Sequence, residues 1–554
     1  MGTAAATAVA SLGLFAPRPA WADDDPPSGS GNPGVRYVIR GGSVMTMDGG
    51  EYPTADVVVE GKKILAVGPG AGAGVGGNVI DATGRIVMPG FIDTHHHQFE
   101  TALRSFLADG VLILDGDTAS GPNGSPGEGA FAYYTSILLG FAPVYRPQDV
   151  YINELFGGLS QLDDGVTTVH DVSQIHHTPQ HSDAAVQALF DTGRRAAFGY
   201  FEGAGEGVDV NTPGYSYPQD ATRLKTRWFS SSDQLVHMIM GGEVYLGDAS
   251  TIASWTLGRR LGLQIAAHIL SPFGIAPIFD RLARNQLGSQ NGNGYMGIGP
   301  DNLFIHMTGM SDLGWQTVQS AGAQVSLAVP IEMNMRHGMP PILRLQKLGM
   351  QPSLSVDVEC TLTADFFTQM RSMMNQQRAL VNQMTLDFGS GGSTLPNPLD
   401  WGIPVSPPAN QWPSYPNGTL PAPLTTRDVL RYATINGAKG LGLDSKVGTL
   451  TPGKEADIII LDATRINVAP LNQVPGAVVS LMDRTNVETV IVAGKVRKWR
   501  GQLLDNVTGV PMDLRGLRAQ LEASRDYLFS QYINNPFGPP PFTHGIPKNL
   551  FRGN

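Results

Sequence analysis

Residues Met88 to His97 end a short apolar run with two histidines, His95 and His97, one residue apart. Successive side chains on a strand point to opposite faces, so His95 and His97 share a face while His96 turns away. Two imidazoles at a rigid strand tip can coordinate a divalent cation when more ligands arrive from elsewhere in the chain. The pair therefore predicts further His or Asp residues at other strand ends, and His268, His306 and Asp357 each close an apolar segment. Other polar residues read more plainly. His170 and His237 fit structural roles, and the cluster His176, His177 and His181 has no compact ligand spacing and reads as a solvent-exposed loop. Cys360, the single cysteine, has no recognisable base and reads as a small buried apolar residue.

The elements that must position these groups follow from periodicity. Short runs at 37–39, 43–47, 56–60, 64–67 and 85–88, separated by Gly41-Gly42, Gly61-Lys62 and the glycine-rich stretch 68–77, read as a small antiparallel β unit. The same texture returns at 456–461 and 487–496, which predicts one β-sandwich built from both chain ends. Between them, apolar strands at 91–95, 166–170, 196–201, 236–240, 263–268, 303–306, 323–329 and 354–357 alternate with helical stretches. That rhythm predicts an α/β chain folded as a (β/α)8 TIM barrel, in which chemistry collects at the C-terminal strand ends. The expected organisation is a signal-like segment and linker (1–34), the sandwich (35–88 with 444–510), the barrel (89–443) and a C-terminal tail (511–554) holding one helix over 514–532. A helix capped by Thr426 is expected to run to Gly440.

The 554 residues are 42% hydrophobic and 16% charged, with a formal net charge of -10 and no Lys/Arg run able to track phosphates. A small-molecule partner is expected, with no nucleic acid and no membrane span. The Ala-rich start and Ala20-Trp21-Ala22 resemble the end of an export signal, although no Lys or Arg precedes Arg18. Export to the periplasm or medium is the expectation, from a start lacking its basic region.

Met88 to His97, His306 after an apolar strand, Ser355-Val356-Asp357, and the run Val447 to Ile458 containing Pro452-Gly453-Lys454-Glu455-Ala456-Asp457 together resemble the amidohydrolase superfamily. The resemblance spans about residues 36–500 and is strongest to the group holding triazine hydrolases, cytosine deaminase and guanine or adenosylhomocysteine deaminases. It implies that His95, His97 and His268 bind one divalent ion, zinc ahead of iron, with Asp357 beside the metal and its water. It assigns His306 to the bound water or a developing oxyanion, and it implies a homodimer. Two-metal members bridge their ions through a carbamylated lysine on the fourth strand; no lysine occurs between Lys225 and Lys347, which favours one ion.

The chemistry implied is hydrolysis of a carbon-nitrogen bond outside peptides, in a small cyclic or aromatic molecule. The cation supplies a nucleophile from water near neutral pH, and Asp357 takes the proton and returns it to the leaving group. One departure stands out. Deaminating relatives carry His-x-x-Glu at the fifth strand, where the glutamate protonates a ring nitrogen, whereas this chain has His268-Ile269-Leu270-Ser271. Glu359, Glu332 and His337 are the residues able to enter the pocket instead. The same site used for decarboxylation or dehalogenation, and a catalytically silent binding or assembly barrel, are the alternatives. Phe99, Leu103, Phe366 and Phe367 hint at an uncharged ligand, with specificity loops at 108–130, 202–220 and 386–423.

Overall fold

The computed structural model describes residues 25–113, 132–203, 217–285, 297–387 and 420–533. The signal-like segment to residue 24, most of the three expected specificity loops, and the tail beyond 533 lie outside the described residues.

The chain opens with β1 (Arg36–Met45), β2 (Glu51–Glu60), β3 (Lys63–Gly68), β4 (Asn78–Asp81) and β5 (Arg85–Pro89). The expected break at Gly41-Gly42 is a bulge inside one strand, since the β1–β2 register shifts there without ending. Nor is the unit purely antiparallel: β1 pairs parallel with both β4 and β5. The reason lies in the glycine-rich crossover, which carries the chain back so that β4 enters alongside β1 in the same direction. At its end Gly77 (φ +122°) sits where a Cβ would meet the Arg36 carbonyl oxygen at 2.3 Å, so only glycine fits.

Eight strands follow: β6 (Phe91–His96), β7 (Val166–Ser173), β8 (Arg195–Tyr200), β9 (Val236–Gly241), β10 (Ile265–Ile269), β11 (Asn302–His306), β12 (Gln324–Leu327) and β13 (Ser353–Leu354). Each pairs with its neighbours in sequence, all parallel. The ring closes where the chain after β13 meets β6, through a parallel bridge between His96 and Asp357. Ile92, Val172, Ala197, Ile239, Ala266, Leu303 and Ile305 form one apolar cluster of the barrel strands, joined by Ala438, Leu441 and Val447. This is the (β/α)8 barrel read from the sequence.

The chain then returns to the first sheet with β14 (Ile458–Asp462), β15 (Val487–Val492), β16 (Lys495–Trp499) and β17 (Gln502–Leu503). Antiparallel pairing of β14 with β5 joins the two chain ends into one mixed sheet, ordered β17-β16-β15-β14-β5-β1-β2-β3 with β4 beside β1. The sheet curls over a shared core that includes Tyr37, Ile39, Val57, Val59, Ile458, Ile460 and Ile491. Tyr37 Oη crosses it to donate to the Gly494 carbonyl at 2.8 Å.

One smaller expectation changes. Thr425, not Thr426, caps the helix Thr426–Arg431, in a reciprocal box with Asp428. The tail helix Leu514–Ile533 packs on the helix Pro147–Asp163, where Arg146 lies 3.4 Å from the centre of the Tyr527 ring and Asn153 donates to Ser524 at 3.2 Å. Tyr532 stacks on Phe141 at 4.3 Å, so the tail buttresses the helical segment Tyr134–Phe141.

Sheet and barrel are pinned by one buried ion cluster. Arg195, at the start of β8 and 1% exposed, donates to Asp457 at 2.9 and 3.1 Å and to Glu455 at 2.7 Å. Replacing Arg195 by Ala removes the guanidinium from buried Asp457 and leaves Glu455 only the longer contacts to Lys62 and Lys63 at 3.7 and 3.8 Å. The expected loss is about 3–5 kcal/mol in a denaturant titration, far above that of an exposed pair.

Candidate metal centre

The site is assembled at the seam that closes the barrel. Asp93, fully buried on β6, accepts from the backbone N–H groups of His95 (3.1 Å) and Val356 (3.2 Å), while Gln161 donates to its other oxygen at 2.6 Å. Across the seam, His97 N–H donates to the Asp357 carbonyl at 2.8 Å and Asp357 N–H to the His95 carbonyl at 2.9 Å. These bonds hold the His95-His97 tip and the Asp357 carboxylate in one register. His306 and Asp357 both have left-handed backbones (φ +69° and +71°), an uncommon state outside glycine that fixed surroundings must maintain.

All five residues expected at the site converge. Asp357 Oδ1 lies 2.9 Å from His95 Nε2 and 3.6 Å from His97 Nε2, and Asp357 Oδ2 lies 3.5 Å from His306 Nε2. His268, from β10, brings its Nε2 to 3.3 Å from that of His95. Ligand atoms of His95, His97 and His268 lie within 4.8 Å of one another, and so do those of His95, His306 and Asp357. His96 turns to the opposite side, 3.8 Å from Asp93 and 3.9 Å from Glu359.

The donor set fits a divalent cation on its own evidence. Burial, reinforced by the neighbouring imidazoles, pushes His95 and His97 well below the ordinary histidine range, and burial also lowers His268. The rings are therefore neutral, yet Nε2 atoms face one another and a carboxylate. Facing lone pairs repel unless a cation lies between them.

Glu243 completes this arrangement, and the sequence reading missed it. Its carboxylate accepts from His268 Nδ1–H and, at 2.9 Å, from the His268 backbone N–H. That bond leaves the His268 Nε2 lone pair directed at the cluster, the orientation that a carboxylate behind a ligating histidine provides. The signal available was positional: Glu243 stands two residues beyond β9, at the end of the barrel where chemistry collects. Burial raises its pKa well above the usual carboxyl range, and the His268 backbone N–H and the His306 imidazole offset part of that rise.

The three residues offered in place of the absent acid have different fates. His337 lines the pocket, its ring 4.7 Å from that of His306, with both nitrogens lacking a partner among the described residues. Glu332 lies behind His306, accepting from its Nδ1 at 3.1 Å and from Ala328 N–H at 3.0 Å. Glu359 faces outward to Arg104 (2.7 Å) and Thr101 (3.1 Å), because the strand turns after Asp357 instead of continuing. Phe99, Leu103, Phe366 and Phe367 are core residues, not pocket walls; Phe366 and Phe367 pack on Phe91 with ring centres 5.6 and 5.3 Å away.

The loop histidines need the same correction. His176 and His181 are buried, bonded to Ser182, Ser173, Thr178 and Tyr145, and His177 donates to the Ala142 carbonyl at 2.9 Å. They tie the 142–145 segment to the end of β7. Cys360 is buried, as expected.

Comparison with known proteins agrees with this geometry. A profile of the Amidohydrolase family matches residues 419–497. The chain is 26% identical over 470 residues to a 5-methylthioadenosine/S-adenosylhomocysteine deaminase of Symbiobacterium thermophilum, covering 83% of this chain and 93% of the relative. These matches agree with the amidohydrolase resemblance read from the sequence. The chain is also 25% identical to a 5'-deoxyadenosine deaminase of Methanosarcina barkeri, across 83% of this chain and 92% of that one. Among solved structures, an adenosine deaminase from Xanthomonas campestris with bound zinc superposes with a TM-score of 0.67 at 19% identity, covering 91% of this chain and 100% of that one. An atrazine chlorohydrolase from Arthrobacter aurescens TC1 in complex with zinc gives 0.66 at 18%, covering 88% and 100%. In this chain the Glu455 and Asp457 of the Pro452 to Asp457 run serve the joint with Arg195, not the chemistry.

Two outcomes check the metal centre. Glu243→Ala is expected to weaken zinc binding by about 10–100-fold in a chelator competition, because His268 loses its orienting partner. Since burial holds the ligating imidazoles neutral, protons compete late: zinc content after stepped dialysis is expected to persist below pH ~6.5, the usual histidine midpoint.

Proposed function

We propose that this protein is a single-ion, metal-dependent hydrolase that cleaves a carbon-nitrogen bond of a small, neutral, cyclic substrate. The observation that carries the reading is the convergence of three imidazoles from two strand ends on a carboxylate and a fourth histidine, on the barrel face where active sites form. His95, His97, His268 and Asp357 would hold the ion. A bound zinc supplies Lewis acidity, bringing a water's pKa toward neutral.

The remaining work falls to side chains already in place. Asp357 stands within 3.6 Å of three histidines and accepts the proton as water adds to the substrate carbon, then returns it to the departing nitrogen. Glu332 accepts from His306 Nδ1 at 3.1 Å and so holds the ring with Nε2 turned to Asp357 and the pocket, where it can meet the water or an oxygen gaining charge. The pocket above these groups is walled by Leu112, Leu138, Leu270, Phe273, Met335 and Val358. No Lys or Arg lines it among the described residues, which favours an uncharged ligand over a carboxylate or phosphate. The deaminase relatives support an aminated heterocycle that releases ammonia.

Asp357→Asn is expected to lower kcat by about 10²–10⁴-fold, read as ammonia release from adenosine and related aminated rings. Stripping the ion with a chelator is expected to abolish turnover, with recovery at about one zinc per chain by elemental analysis. Full activity in the stripped protein would overturn the assignment.

A further inference from the structure

Among the groups that the proposed reaction does not use, one pair at the pocket wall is left polar and unfinished. Gln174 follows the end of β7, is 2% exposed and lines the pocket. Its Nε2–H donates to Glu202 Oε1 at 3.4 Å, while its Oε1 is buried and meets no donor among the described residues. Glu202 stands beyond the end of β8, and its Oε1 also accepts from Tyr245 Oη–H at 2.5 Å. Tyr245 in turn lines the pocket, stacked on Phe273 with ring centres 4.9 Å apart.

This arrangement fixes which end of the Gln174 amide faces the substrate. Glu202 Oε1 already receives one O–H and offers only lone pairs, so the amide must present its NH2 group there. The carbonyl oxygen is then turned to the pocket as an acceptor. A buried acceptor without a donor costs about 1–3 kcal/mol, which a ligand N–H would recover. Burial, with the Glu243 carboxyl nearby, raises Glu202 to about 8, and the lock is complete when the carboxylate is charged and Oε1 offers only lone pairs to both donors.

We infer that Gln174 is a specificity-determining residue that reads an N–H donor on a neutral heterocycle, its amide held in one orientation by the positioning residues Glu202 and Tyr245. The inference rests on the hydrolase reading above and narrows it to rings that present an amine or ring N–H to the β7–β8 side of the pocket. Isosteres that place an oxygen acceptor there meet the Gln174 oxygen and are rejected. A lone-pair-on-lone-pair contact also disfavours any oxo product that offers its oxygen at that position.

The test uses the zinc-loaded, full-length Asp357→Asn protein, so that ligands bind without turnover. Two neutral pairs are titrated by calorimetry: melamine against trimethoxytriazine, and adenosine against its methoxypurine riboside analogue. At least one amine is expected to bind about tenfold or more tighter than its methoxy partner, the size of one buried hydrogen bond. Adding Gln174→Leu should erase that preference by weakening the amine, and Gln174→Glu, which restores an oxygen acceptor, should recover part of it. Adding Glu202→Gln, which can present either amide end, should reduce the preference while the melting temperature stays near the parent's. An unchanged preference in Gln174→Leu, or zinc-loaded protein that binds neither amine, overturns this inference and leaves the metal-hydrolase reading standing. Parent protein with Asp357 intact that takes up no zinc overturns both.

Discussion

The site depends on how the barrel closes. A ring of parallel strands needs its first and last members to meet, and here the last strand is only two residues long, Ser353–Leu354. The chain beyond it makes up the deficit with the His96–Asp357 bridge and with backbone bonds between His95, His97 and Asp357. Asp93 spans the same seam from within. The closure that completes the fold is thereby the contact that brings the imidazole pair to the carboxylate. A slip of one residue would turn His95 and His97 to the outside and put His96 in their place.

Around this seam the charged groups form a second tier that orients the first. Glu243 holds His268 and Glu332 holds His306, each at the ring nitrogen remote from Asp357. The left-handed backbones of His306 and Asp357 show that the surroundings, not local preference, set these positions. Inside the barrel below, Thr94 shares its hydroxyl with Ser326 and Ser353 at 2.7 and 2.8 Å and so ties the first strand to the last two. Structure and proposed chemistry thus draw on one set of interactions.

Much of this was legible in order along the chain. Eight apolar segments, each short enough for a strand and separated by helical stretches, name the barrel because burial on both faces demands near-continuous apolar runs. The five site residues could be picked out since each ends such a segment. Where the reading went astray, the cause is non-local. Phe99, Leu103, Phe366 and Phe367 were apolar and close in number to the ligands, but proximity in sequence does not say which face a side chain takes. The histidines at 176, 177 and 181 looked exposed because nothing local shows that Tyr145 and Ala142 would come to bond them.

The sequence alone determined the barrel's strand count, the shared face of His95 and His97, and the identity of the other groups able to meet them, because alternation and hydrophobic periodicity are local properties of the chain. Only the tertiary structure decided which carboxylate serves which histidine. Glu243, Glu332 and Glu359 are chemically alike, yet one orients His268, one His306, and one bonds Arg104. Likewise, the Gln174 oxygen faces the pocket only because Glu202 and Tyr245, from other strand ends, occupy the opposite side. Hydrogen bonds between segments far apart in the chain carry no signature in either segment until the barrel has closed.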